Sequence, residues 1–194
     1  MTVAFYVSGH GFGHASRDVE ILNALGAARP DLRLLIRTAA SPALLARTLT
    51  VPYTLRAGAC DTGIVQRNSV THDDAATVSD AVAYYRTFDA HVAHDVDALS
   101  GEDVRLVVAD IAPLGLAVAA RLGVPSIFVG NFTWDWIYEG YNAVRTGAPD
   151  VLATIRHAHA AATLALRLPL APSLEDRKST RLNSSHGYIS YAVF

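Results

Sequence analysis

Short apolar, β-rich runs alternate about six times with stretches of helical periodicity along this chain. The runs fall at residues 3–7, 32–36, 53–56, 105–109, 126–129 and 163–167. After the first run, Val19, Leu22 and Leu25, with Ile21 alongside, recur at three- and four-residue spacing, the mark of a helix with one apolar face. Pro30 stops that pattern. Ser41 and Pro42 then supply an N-cap and a first helical residue, with Leu44, Leu45 and Leu49 predicted to face the sheet. One long helix is predicted over 74–99, with Val78, Val82, Tyr85, Phe88, Val92 and Val96 on its inner side. Further helices are predicted over 113–121 and from Pro149 onward. The run 105–109 is apolar enough to be buried on both faces, as parallel strands are. No hairpin signal separates the runs, so the pattern predicts an α/β fold, a doubly wound parallel sheet of Rossmann-like type.

The turn after the first run carries more chemistry than a chain reversal requires. It reads Ser8-Gly9-His10-Gly11-Phe12-Gly13-His14-Ala15-Ser16-Arg17. Gly9, Gly11 and Gly13 let the backbone turn tightly and approach a ligand, and the helix start beyond offers unpaired N–H groups to an anion. The plainer alternative is a glycine turn whose histidines only hydrogen-bond the backbone. A dinucleotide fingerprint would need its third glycine where His14 stands, and the second strand ends in Arg37-Thr38 with no carboxylate for a ribose. A nicotinamide or flavin is therefore disfavoured, no G-x-x-x-x-G-K-[ST] phosphate loop occurs, and no cofactor is expected.

Other candidates follow later strands. Asp110 stands at the end of 105–109, where open α/β sheets place ligand sites. Residues 57–73 form a long polar loop in which Asp61 and Gln66 either line a pocket or belong to a solvated loop. Residues 132–141 hold both tryptophans and follow Asn131; there Trp134 and its neighbours are either core or a sugar-stacking platform interleaved with Asp135 and Glu139. His14, Asp61, Asp110 and Asn131 all follow strands, so they are expected at one carboxyl edge. His91 and His94 have no carboxylate pattern to complete a metal site, and no metal is expected.

The 194 residues are 51% hydrophobic and 18% charged with a net charge of −2, which fits one globular domain and argues against a nucleic-acid partner. No transmembrane segment and no leader is evident, so a cytoplasmic location is expected. A lone cysteine, Cys60, excludes an internal disulfide. Residues 176–194 resemble the conceptual translation of a sequencing-library adapter. Lys178, the only lysine of the chain, lies within them. The native domain is thus expected to span residues 1–175, with 176–194 a foreign, unstructured tail. Without the tail Lys+Arg falls from 16 to 13 and Asp+Glu from 18 to 17, leaving −4.

The Ser8–Arg17 stretch resembles the opening of the glycosyltransferase-like N-terminal domain of L-arabinokinases and related bacterial proteins. Gly11-Phe12-Gly13-His14 is more distantly similar to the first loop of the N-acetylglucosamine transferase that makes lipid II. Residues 60–66, 107–110 and 130–138 continue the likeness in order. The resemblance implies the N-terminal lobe of a two-lobed GT-B glycosyltransferase, chiefly holding the sugar acceptor. A nucleotide-sugar donor would sit mainly on a second lobe that this sequence lacks, so the fragment is expected to be inactive alone. Inverting transfer needs a base for the acceptor hydroxyl, and His14 oriented by Asp110 is the expected pair. Ser8, Gly9, His10, Gly11, Gly13, Arg17, Asp61, Gln66, Asn131, Trp134 and Asp135 are the expected substrate-binding residues. The resemblance equally allows a non-catalytic sugar-binding or regulatory domain of a sugar kinase; a nucleotide-binding module of another kind is the weakest reading.

Overall fold

A computed structural model describes residues 1–68 and 70–169. The expected foreign tail at 176–194 lies outside the described residues. Six strands, β1 (Thr2–Val7), β2 (Arg33–Thr38), β3 (Thr54–Ala57), β4 (Val104–Asp110), β5 (Ser126–Gly130) and β6 (Leu164–Arg167), form one sheet. Its order is β3-β2-β1-β4-β5-β6 and every strand pair is parallel. The helices are α1 (Gly11–Ala28), α2 (Pro42–Thr48), α3 (Asp74–Arg86), α4 (Phe88–Leu99), α5 (Pro113–Leu122), α6 (Trp134–Tyr138), α7 (Asn142–Gly147) and α8 (Pro149–Ala160). This is the expected doubly wound α/β sheet.

The two-residue period of β1 divides the core into two layers. Val3, Phe5 and Val7 pack with Leu34, Ile36 and Leu22 of α1 on one face. Ala4 and Tyr6 face the other way, onto a larger cluster containing Tyr85, Phe88, Val92, Leu114, Leu116 and Ile155 from α3, α4, α5 and α8. Both faces of β1 are covered, and all six of its residues are buried. The strand order runs outward in two directions from β1 and β4. Crossovers leave those neighbours on opposite sides, opening a crevice at their carboxyl ends.

Three local expectations change. Helix α1 begins at Gly11, so most of the presumed glycine loop is its first turns. The helix predicted over 74–99 is two helices, because Thr87 leaves helical geometry at φ −107° and ψ 16°. Its hydroxyl donates to the Tyr84 carbonyl at 3.2 Å, giving that carbonyl a partner outside the helical ladder. Tyr85, Phe88 and Val92 are buried as expected, but Thr77 and Ala81 take the innermost positions of α3 while Val78 and Val82 flank them. In α2, Leu45 alone is buried, with Leu44 and Leu49 half-buried.

Candidate functional site at the β1–β4 crevice

Because α1 starts directly after β1, its first turns lie over the edge where β4 is the neighbouring strand. His14, Arg17 and Asp18 occur at i, i+3 and i+4 and therefore share one helix face. That face meets Asp110, the last residue of β4, which is 1% exposed. His14 Nδ1 lies 3.0 Å from Asp110 Oδ2, and Arg17 Nη2 donates to Asp110 Oδ1. Arg17 Nη2 is also 3.1 Å from His14 Nδ1. A carboxylate can only accept, so Nδ1 is the donor in the contact with Asp110 and cannot also accept from Arg17, whose 3.1 Å approach is then a contact between two donors; Nε2 is the ring nitrogen left for other partners. The His14 side chain remains 11% exposed.

The residue after Asp110 is backbone-strained. Ile111 adopts φ 47°, a left-handed conformation that a β-branched residue occupies at a cost. Its fully buried side chain and the hydrogen bond its N–H donates to the Val129 carbonyl at 3.0 Å hold that turn in place.

Asp61 forms a second buried carboxyl centre. It is 5% exposed and accepts from the indole Nε1 of Trp134 at 2.8 Å and from the Ser8 hydroxyl. Burial pushes its carboxyl up to about 6, against the opposing pull of those two donors and of His14. His10 stands edge-on to Trp134, with ring centroids 5.5 Å apart. Burial and nearby His14 lower the pKa of its imidazole. Gly63 lies against the same ring: at φ +67° a Cβ there would sit 2.5 Å from His10 Nδ1. A cleft of about 530 Å³ opens beside these groups, lined by Gly9, His10, Gly11, Asp61, Thr62 and Tyr84 among others.

Not every expected residue joins this arrangement. Trp134 is 1% exposed, stacked on Tyr138 and met edge-on by His10 and Phe132. Its ring belongs to the core and offers no free face to a sugar; among the described residues the exposed aromatics are Phe12 and Trp136. Asp135 is fully buried and bonded to Arg156 Nε of α8 at 3.0 Å. Gln66 is exposed and bridges His72 within the loop. Asn131 is half-buried just beyond β5. Gly11 and Gly13 are exposed at the start of α1, where no side chain caps the helix and no acidic residue occupies the first turn. Asp18 was absent from the expected site. Its spacing of four from His14 signals it only once the helix is known to start at Gly11.

No protein-family model matches the sequence. Over 143 residues the chain is 34% identical to the L-arabinokinase of Arabidopsis thaliana, covering 73% of this chain and 14% of that protein. Among solved structures it is similar to the glycosyltransferase SsfS6 of Streptomyces sp. SF2575, with TM-score 0.52, 13% identity, and coverage of 87% of this chain and 50% of that one. It is also similar to Phytolacca americana UGT2, solved with UDP-2fluoro-glucose and pterostilbene, with TM-score 0.52, 12% identity, and coverage of 86% and 47%. The chain thus spans a small part of the kinase and about half of each glycosyltransferase. Among the described residues no helix is long and apolar enough to cross a membrane, and no cluster of metal-binding side chains occurs. By fold, the described residues form a Rossmann-like lobe of the GT-B glycosyltransferase type.

Proposed function

We propose that this chain is the acceptor-side lobe of an inverting, nucleotide-sugar-dependent glycosyltransferase, with His14 as general base and Asp110 as its orienting carboxylate. The 3.0 Å contact between His14 Nδ1 and Asp110 Oδ2 at the topological switch point carries this reading. It directs Nε2 outward as the proton acceptor. The acceptor hydroxyl loses its proton to Nε2 as its oxygen forms the new bond to the anomeric carbon, and the donor diphosphate leaves with the electron pair of the broken C–O bond. The imidazolium that results is balanced by Asp110, whose other oxygen is held by Arg17. The acceptor would occupy the cleft beside His10 and Asp61. The exposed first turn of α1, with Gly11 and Gly13 leaving its N–H groups accessible, would meet the diphosphate. A second lobe beyond these residues would hold most of the donor.

Similarity to L-arabinokinase favours one other reading, a non-catalytic sugar-binding or regulatory domain of a sugar kinase. Full-length protein assayed against a panel of nucleotide sugars separates the two. Transfer or hydrolysis of a UDP- or GDP-sugar supports the transferase. ATP-dependent sugar phosphorylation with no nucleotide-sugar turnover supports the kinase-associated domain.

A further inference from the structure

Asp18 is 2% exposed and lies on the α1 face that also carries His14 and Arg17 to Asp110, itself 1% exposed, and its carboxyl interacts with that of Asp110. Carboxylates only accept, so two of them can share a hydrogen bond only if one keeps its proton. The surroundings decide which. Asp110 receives Arg17 on Oδ1 and His14 on Oδ2, and both contacts stabilise its anion. Asp18 Oδ2 receives no N–H or hydroxyl donor among the described residues.

We infer that Asp18 is a positioning residue that stays protonated and donates its hydrogen to Asp110, so that the two buried carboxyls carry a single negative charge. Burial and the neighbouring Asp110 push the Asp18 carboxyl well above the usual carboxylate range, with Arg17 opposing them. The charged and titratable groups facing the pair are His14 and Arg17 on α1, with Asp61 in the loop after β3 close enough to interact with both Asp110 and His14. Arg17 and His14 then both face one carboxylate, Asp110, and not two. The hydrogen bond from Asp18 also fixes the rotation of the Asp110 carboxylate, and through it the His14 ring.

The catalytic consequence rests on the proposed function, but the protonation state does not. Infrared spectroscopy of this protein labelled with ¹³C-aspartate should show the carbonyl stretch of a buried protonated carboxyl at neutral pH, lost in Asp18→Asn. Absence of that band, or its survival in Asp18→Asn, overturns the assignment. In the full-length transferase, Asp18→Asn supplies an amide donor in place of the hydroxyl and should keep kcat within about threefold, whereas Asp18→Leu should lower kcat at least about tenfold with little change in KM. Equal losses in both variants overturn the positioning role. A transferase unaffected by His14→Ala that still shows the Asp18-dependent band rejects the base, and with it Asp18's part in catalysis, while leaving the proton on Asp18.

Discussion

Asp110 Oδ2 and His14 Nδ1 meet at 3.0 Å across 96 positions of sequence, one at the end of β4 and the other in the first turns of α1. The pairing of β1 with β4 makes the contact possible, since Tyr6 sits opposite Ala109 and each chain leaves the sheet within a few residues of that point. Neither side chain is free to drift, because Arg17 clamps the far oxygen of Asp110 and Phe132 stands edge-on to the His14 ring at 5.9 Å. Packing of sheet and helix therefore fixes the orientation of the imidazole.

Asp61 makes stability pH-dependent. Its folded value of about 6 lies above the ordinary 3.8, so the folded state binds this proton more tightly than the unfolded chain. The contribution is neutral to stability below the unfolded value, and the fold loses stability as pH rises from about 4 to 6, by roughly 3 kcal/mol in all. Asp61→Asn removes that slope. Thermal unfolding should show the variant gaining on the wild type between pH 4 and 7, with a constant difference above that.

Trp134→Phe should destabilise by about 2–3 kcal/mol, from lost volume and from the donor taken from Asp61. The same substitution in an Asp61→Asn background should cost less, since no buried anion is then left short of a donor. Denaturant titration of the four proteins of this double-mutant cycle measures the coupling.

Arg37 and Asp95 form a buried pair away from the crevice, with Nε and Oδ2 3.1 Å apart and side chains 14% and 5% exposed. Asp95→Ala strands the guanidinium in the core and should cost about 3 kcal/mol, while replacing both partners with apolar residues should cost much less. Denaturant midpoints of the single and double variants test this.

At Gly63, substitution by alanine forces a side chain into a left-handed conformation and against the His10 ring. The expected loss is about 1–2 kcal/mol. Thermal unfolding reads the loss, and the shift of the His10 ring resonances in NMR reports whether the imidazole has moved.

The strands were legible because each is an apolar run, and their number and parallel sense follow from the helices between them. The positions Asp110 and His14 were legible too, since both follow strands. Strand order was not, because nothing in a β-rich run records its neighbour. The start of α1 was hidden by Gly11 and Gly13, which read as loop although a helix tolerates them in its first turn. That misplacement concealed Asp18, whose relation to His14 is helical. The break at Thr87 lacks the glycine or proline that would have marked it in the sequence; there the hydroxyl turns to a carbonyl of the preceding turn. Around Trp134, alternating polar residues suggested an open edge; the structure uses Asp61 and Arg156 to satisfy them inside the fold.

The most direct test of the account is the rate of sugar transfer by the full-length protein carrying His14→Ala. With its preferred nucleotide sugar, the variant should retain donor and acceptor binding but fall in kcat by two or more orders of magnitude, roughly the worth of a general base. Asp110→Asn should fall comparably, because an amide can donate to Nδ1 and so favour the wrong tautomer. A His14→Ala enzyme that transfers sugar at the wild-type rate would contradict the assignment of the base.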